Sequence, residues 1–175
     1  MSVVAIIDID TTLADNDHRA ALLKYEGESI AQESWDQFLR EDLMRLDKPV
    51  EHARNVLDFM RAHDYQLVFL TGRNERLNEV TSYWLQQHMG WDPLREPLIM
   101  RPMMHKAVPA SVFKEEAFLS FVRDNQLERS NFLFFEDDSY VLHVWQKYGL
   151  VFKCPEAWAS LNPVTLEGNE PAWKR

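Results

Sequence analysis

Val3-Val4-Ala5-Ile6-Ile7-Asp8-Ile9-Asp10-Thr11-Thr12 is the stretch on which the reading of this chain turns. Residues Val3 to Ile7 are β-branched or small and apolar, and charge follows them at once. That pattern fits a short strand covered on both faces in a parallel sheet. Asp8 falls where such a strand leaves the sheet, and in extended backbone Asp8 and Asp10 point to the same side. Two carboxylates so close repel each other, and a cation between them relieves the repulsion. The spacing therefore suggests a magnesium site. Taken alone, the pair is read equally well as solvated carboxylates at a wet strand end, so the rest of the chain must decide.

At 175 residues, the length suits one domain with a real core and room for a modest insertion. A composition of 46% hydrophobic and 27% charged residues is that of a soluble globular protein, neither disordered nor embedded in a membrane. The longest apolar runs, Val3 to Ile7 and Phe132 to Phe135, are too short to span a bilayer, and a cytoplasmic location is expected. The single cysteine, Cys154, has no partner for an internal disulfide and reads as a small apolar residue. No histidine pair has the spacing of a zinc hydrolase. The formal charge of −9 opposes extended binding to nucleic acid, though a locally positive pocket for one phosphate is compatible with it.

Periodicity along the chain alternates between strand and helix. Residues 15–48 form a stretch too long for a simple loop and patterned as helix, with a short helix from Arg19 to Tyr25 and a capping box at Ser34-Trp35-Asp36-Gln37. It reads as a small acidic helical cap beside the strand end, or as a hairpin that only covers the sheet edge. Asp47 and Pro49 announce a helix running to about His63, and Tyr65 to Leu70 is a second strand ending in Thr71-Gly72-Arg73. A helix closes near Met89-Gly90, and Leu98 to Met100 is a third strand followed by Arg101-Pro102. A helix through Phe113 and Phe121, a strand from Asn131 to Phe135 ending in Glu136-Asp137-Asp138, a helix through Trp145 and a strand at Val151-Phe152 complete the pattern. The expected fold is an α/β, Rossmann-like three-layer α/β/α sandwich: a parallel sheet of about five strands, with the small helical cap inserted after the first strand. The expected organisation is a core of residues 1–14 and 49–153, a cap of residues 15–48 and a tail of residues 154–175 packed on the core, to which no function is assigned.

Several polar residues then sit where the fold itself has no use for them. Ligands of open α/β sheets bind outside the carboxyl ends of strands, where Asp8, Asp10, Thr71, Asp137 and Asp138 all fall. Lys114 is expected in the first turn of its helix, where the macrodipole disfavours a cation. On its own it reads as an ordinary solvated lysine.

The order Asp8-x-Asp10-x-Thr12, Thr71-Gly72-Arg73, Lys114 and Asp137-Asp138 resembles the four motifs of the haloacid dehalogenase superfamily of phosphatases. More narrowly, Met100-Arg101-Pro102, Lys114-Glu115-Glu116 and Asp137-Asp138 followed by Val141, Trp145 and Gly149 resemble the phosphatase domain of phage polynucleotide kinase. The resemblance runs over about residues 3–153. Thr11 departs from it by standing where glycine is usual, and Glu136 by adding a third carboxylate. Residues Met103 to Ser111 lack the glycine- and charge-bearing loop of the polynucleotide family, and no P-loop is present.

The resemblance implies that Asp8 is the nucleophile that forms an aspartyl-phosphate, and that Asp10 protonates the leaving oxygen and then deprotonates water. It implies that Thr71 and Lys114 hold phosphoryl oxygens, with Thr12 and Gly72 lining the substrate site. It also implies that Asp137, with Asp138, completes a Mg2+ shell with Asp8 and the Asp10 carbonyl. Arg73 and Arg101 either meet a second substrate phosphate or pair with surface acids. The expected substrate is a small phosphorylated molecule, a mononucleotide or a short nucleic-acid end carrying a 3′-phosphate, with no membrane partner. The alternatives are a 5′-nucleotidase that seats the base under Trp35 or Phe38, a mutase or dehalogenase on the same scaffold, and a non-catalytic ligand-binding protein.

Overall fold

The computed structural model describes residues 2–27, 29–105 and 108–163. Its frame is a parallel sheet of five strands: β1 (Val3–Ile7), β2 (Gln66–Asn74), β3 (Leu98–Arg101), β4 (Asn131–Glu136) and β5 (Leu150–Lys153), in the order β3-β2-β1-β4-β5. β1 lies at the centre, paired in parallel with β2 on one side and β4 on the other. Both faces of such a strand are covered, which is why it reads as an unbroken apolar run.

Successive residues feed opposite faces. Ala5, Ile7, Leu67, Phe69 and Phe135 join Val56, Leu57 and Met60 of α4 (Ala53–Ala62), Trp84 of α5 (Asn78–Trp84) and Trp158 of α8 (Glu156–Leu161) in one core. Val4, Ile6, Val68, Leu70, Phe132 and Phe134 face Phe113, Phe118 and Val122 of α6 (Ala110–Asp124) and Val141 and Trp145 of α7 (Ser139–Trp145) in the other. Helix, sheet and helix thus form three layers. Burying each of Val56, Leu57 and Met60 contributes about 1.5–3 kcal/mol, which makes the α4 stripe enough to dock that helix. Gly149 precedes β5 because a side chain there would drive into the carbonyl oxygen of Phe132.

Between β1 and α4 the chain makes three short helices: α1 (Asp17–Ala20), α2 (Gln32–Phe38) and α3 (Glu41–Met44). A two-residue antiparallel ladder, Ala14–Asp15 with Lys48–Pro49, ties the two ends of this excursion together. Three local expectations fail here. α2 starts at Gln32, so Ser34 lies inside it, and its hydroxyl bonds the Ala31 carbonyl at 2.9 Å instead of capping a helix. The helix expected from Arg19 starts earlier, at Asp17, and ends at Ala20, while Arg19 is wholly buried. The helix announced by Asp47 and Pro49 begins only at Ala53, since Lys48 and Pro49 are spent on the ladder.

The segment after β5 returns to the core. Trp158 is fully buried, stacks on Phe135 at 4.6 Å between ring centroids, and donates its indole N–H to the Thr12 carbonyl at 2.7 Å. Residues 164–175, with Trp173, lie outside the described residues.

Candidate active site

At the carboxyl end of β1 the chain leaves the sheet through a tight turn. The amide of Asp8 donates to the Phe135 carbonyl at 3.0 Å, which holds Asp8 against β4, and the amides of Leu13 and Ala14 return to the Ile9 carbonyl. The turn places Thr11 at φ 62°, a left-handed conformation that a β-branched residue adopts only under strain. The glycine that the resemblance leads one to expect at this position would meet no such penalty.

Asp8 and Asp10 leave this turn into different company. The carboxylates of Asp8, Glu136 and Asp137 converge, with an oxygen from each lying within 4.8 Å of the others. Lys114 enters the same cluster, its Nζ donating at 2.7 Å to Asp8 Oδ1 and at 2.7 Å to Glu136 Oε2. Lys114 is not in the first turn of its helix as expected. α6 begins at Ala110, so Lys114 starts the second turn and reaches inward, 4% exposed. Burial, then the charge of Glu136, push Asp8 up to about 7, against the pull of Lys114. Burial and the nearby Asp8 likewise raise Asp137 to about 6. Burial opposes the charge on Lys114, but Asp8 and Glu136 more than offset it and hold its pKa above the usual lysine range.

Asp10 turns toward two arginines. Arg73 donates from Nε to Asp10 Oδ2 at 2.9 Å and from Nη2 to Oδ1 at 2.8 Å, and Arg19 Nη2 bonds the same Oδ1. Both guanidiniums are shared with Asp47, which Arg19 grips through two bonds of 2.7 Å and Arg73 through one of 3.1 Å. Burial would raise the Asp10 pKa, yet Arg73 and then Arg19 hold it well below the usual carboxylate range. The register of β2 against β3 slips between Thr71 and Asn74, the stretch that carries Arg73. Asp47 and Arg19 were not anticipated as site residues. Asp47 had been spent on a helix start, and the pairing spans 28 residues of sequence.

A cavity of about 330 Å³ opens over both groups, lined by Asp8, Asp10, Thr11, Gly72, Arg101, Lys114, Glu136, Asp137 and Asp138, with Ala20, Leu23, Trp35 and Phe38 forming an apolar wall. Thr71 and Thr12 are wholly buried and do not line it. The Thr71 hydroxyl accepts from the Arg73 amide at 3.2 Å, and the Thr12 hydroxyl has no partner among the described residues. Arg73 is 2% exposed and committed to acids and Thr81; of its two alternatives this is the pairing with acids, here buried ones.

The acidic cluster fits Mg2+, a hard cation that takes carboxylate oxygens. The two acids that follow β4 separate. Asp138 is the N-cap of α7, its carboxylate accepting from the amides of Tyr140 at 2.7 Å and Val141 at 3.3 Å. Glu136 stands with Asp8 and Asp137 instead. The acid at Glu136, where an aliphatic residue is usual, was the sequence signal for this.

Among solved structures, a chain of the Pnkp1/Rnl/Hen1 RNA repair complex superposes with a TM-score of 0.61 at 19% identity, over 87% of this chain and 42% of that one. The present chain therefore spans less than half the length of that relative. A phosphoserine phosphatase captured as a phospho-aspartyl intermediate analogue superposes with a TM-score of 0.51 at 15% identity, over 97% of this chain and 91% of that one. At such identities the likeness establishes the fold alone. No curated protein matches the sequence. Residues 2–125, which carry Asp8, Asp10, Thr71 and Lys114, match the family described as HAD superfamily, subfamily IIIB (acid phosphatase). The chain belongs to that family, a branch of the haloacid dehalogenase superfamily.

Proposed function

We propose that this protein is a Mg2+-dependent phosphomonoesterase acting on nucleotides or on short nucleic-acid ends that carry a 3′-phosphate. The observation that supports this reading most is the convergence of the Asp8, Glu136 and Asp137 carboxylates in the cavity, with the Lys114 ammonium bonded to the first two. In the proposal an Asp8 oxygen attacks phosphorus, the ester P–O bond breaks, and the phosphoryl group is carried as an acyl phosphate on Asp8. Water then attacks that phosphorus and frees phosphate and the Asp8 carboxylate. Lys114, already hydrogen-bonded to Asp8, neutralises the phosphoryl oxygens as they approach. Mg2+ bound by Asp8, Glu136 and Asp137 would neutralise further phosphoryl charge.

Asp10 carries the proton in this scheme. Its two arginines keep it ionised and so free to accept the proton of the attacking water, while the same pairing makes it a weak base. Protonating a poor leaving group is the harder task for it, so aryl phosphates and other good leaving groups should turn over fastest.

The segment 15–48 is proposed to act as a cap that supplies the apolar wall of Leu23, Trp35 and Phe38, and a nucleobase is a fitting occupant of it. The same wall suits the 5′-nucleotidase reading, which remains the alternative. With a formal charge of −9, long polynucleotides are poor ligands. Among the described residues no helix is long and apolar enough to cross a membrane, and a cytoplasmic location remains part of the proposal.

Turnover of p-nitrophenyl phosphate with and without Mg2+ tests the chemistry. A panel of 3′- and 5′-mononucleotides and of 3′-phosphorylated oligonucleotides of increasing length tests the substrate. Little gain in kcat/KM with length is expected. A steep gain with length, or a preference for sugar phosphates, would overturn the substrate reading and leave the chemistry standing.

A further inference from the structure

Charge pairing singles out one arginine in the cavity wall. Arg19, Arg61 and Arg73 are buried or half-buried, and each is bonded to carboxylates. Even the more exposed Arg40 and Arg54 have acids beside them. Arg101, half-buried at the end of β3, has no carboxylate partner among the described residues. Its Nη1 donates to the Val108 carbonyl at 3.2 Å, its guanidinium lies 5.2 Å from the centre of the Phe113 ring, and its Nε is buried with no partner. Desolvation alone lowers its pKa, as expected of a cation taken out of water without an anion. An unpaired guanidinium in such surroundings is costly unless an anion completes it.

Its position says which anion. Arg101 lines the same cavity as Asp8 and Lys114, and it sits beside Gly72: a methyl group built on Gly72 would stand 3.6 Å from Arg101 Nη2. The carbonyl of Val108 and the face of Phe113 fix the guanidinium in orientation, so little side-chain freedom is lost when a ligand binds. Lys114 already answers the phosphoryl group that Asp8 would attack.

We propose that Arg101 forms a second anion subsite, so that the preferred substrate carries, besides the phosphomonoester that reacts, another phosphate held at Arg101 while a flat apolar part lies on the wall of Trp35 and Phe38. This rests on the nucleotide reading above and deepens it: nucleoside 3′,5′-bisphosphates, or 3′-phosphorylated ends with a phosphodiester on the 5′ side, are favoured over 3′-monophosphates.

The experiment measures kcat/KM for adenosine 3′,5′-bisphosphate, adenosine 3′-monophosphate and p-nitrophenyl phosphate with wild-type enzyme, Arg101→Met and Arg101→Lys. The expected wild-type preference for bisphosphate over monophosphate is roughly 10- to 100-fold, the range of one charge-assisted contact, and it should appear mainly in KM. Arg101→Met should bring the ratio near one, and Arg101→Lys should restore part of it. Calorimetry gives a readout independent of turnover: adenosine 5′-monophosphate should bind the wild type more tightly than adenosine does, and Arg101→Met should erase that difference. A wild-type ratio near one overturns the subsite even if the variants fail to fold. Equal losses on all three substrates in Arg101→Met overturn it too, because Arg101 would then serve the reacting phosphoryl group. If no nucleotide has a higher kcat/KM than glycerol 2-phosphate, an alkyl ester with a comparably poor leaving group, the nucleotide reading itself falls, an outcome distinct from a bisphosphate ratio of one among good nucleotide substrates.

Discussion

Asp8 and Asp10 stand two residues apart, yet the charge clusters they join are balanced in opposite ways. Around Asp8, three carboxylates cluster and the one ammonium among them, Lys114, is bonded to Asp8 and Glu136. Around Asp10, two carboxylates share two guanidiniums, and Arg19, Arg73 and Asp47 are almost completely buried. The first cluster is short of positive charge, and its acids have raised pKa values as a result. The second is neutral and satisfied within the protein. A cluster short of charge is a place for a ligand, whereas a neutral buried one holds geometry. In the proposed chemistry the metal and the phosphoryl group belong to the first, while the second orients Asp10 and fastens the 15–48 segment to the core, since Arg19 and Asp47 come from that segment and Asp10 and Arg73 from the sheet.

The largest effect expected from breaking this contrast is that of Asp8→Asn. The amide keeps the shape and can still accept from Lys114, but it cannot attack phosphorus. Turnover should fall by about 10⁴-fold or more, the scale on which removal of a nucleophile acts, with the thermal midpoint little changed. Acid-quenched protein treated with labelled substrate should retain label in the wild type and none in the variant. Near-native turnover by Asp8→Asn would rule out the covalent route.

Asp47→Asn attacks the balanced cluster. It leaves Arg19 and Arg73 with one carboxylate between them in a site where neither reaches water, and breaking a buried pair in this way typically costs about 3–5 kcal/mol. Urea denaturation should show a loss on that scale. A loss below about 1 kcal/mol would mean that the cluster is not the fastening described. The companion variant Asp10→Asn should slow release of phosphate more than the first chemical step on an activated ester, giving a burst in single-turnover kinetics.

How far the sequence foretold these clusters depends on how local their signals are. Asp8, Asp10 and Asp137 were legible because strand ends in a parallel sheet all open on one edge, and Lys114 through the resemblance. Glu136 announced itself by standing where an aliphatic residue is usual. Arg19 and Asp47 were not legible: each looks like an ordinary residue of an acidic helical stretch, and only the folded chain brings them together. Which of its two alternatives Arg73 takes was not legible either, since nothing in its neighbours shows that it turns inward to buried acids. The false capping box at Ser34 was a local pattern outweighed by its surroundings. The Ser34 hydroxyl bonds the carbonyl of Ala31, and the Lys24 amide donates to it at 3.0 Å, so it serves the chain around it instead of a helix end.

A smaller effect sharpens the contrast within the acidic strand end. Asp137→Asn should weaken Mg2+ binding by at least about tenfold, the scale on which even an outer partner of a metal ligand matters. In the presence of a chelator the same variant should melt at or above the wild-type temperature, because it removes one of three crowded carboxylates. Asp138→Ala should do the reverse. It removes the N-cap of α7 at a cost of about 1 kcal/mol and leaves metal affinity nearly intact. Metal titrations and thermal melts on the two variants decide the matter, and a larger metal defect in Asp138→Ala would reverse their assigned roles.

The smallest effect concerns the turn that sends the two aspartates to different clusters. Thr11 sits at φ 62° and lines the cavity, and its hydroxyl donates a long 3.3 Å hydrogen bond to Asn16, whose side-chain amide in turn donates to Asp10 at 3.1 Å. A left-handed conformation costs a residue with a Cβ about 1–2 kcal/mol, and glycine removes that penalty. Against this stand the greater freedom glycine has in the unfolded chain, about 0.5–1 kcal/mol, and the loss of a weak hydrogen bond. Thr11→Gly should therefore stabilise the protein by only about 0.5 kcal/mol, a rise of roughly 1–2 °C in Tm for a chain of this size. If the variant instead loses 1 kcal/mol or more, the Thr11–Asn16–Asp10 chain of hydrogen bonds outweighs the backbone strain. The turn would then count as part of the balanced cluster, and the strain at Thr11 as the cost of keeping Asp10 aligned with its two arginines.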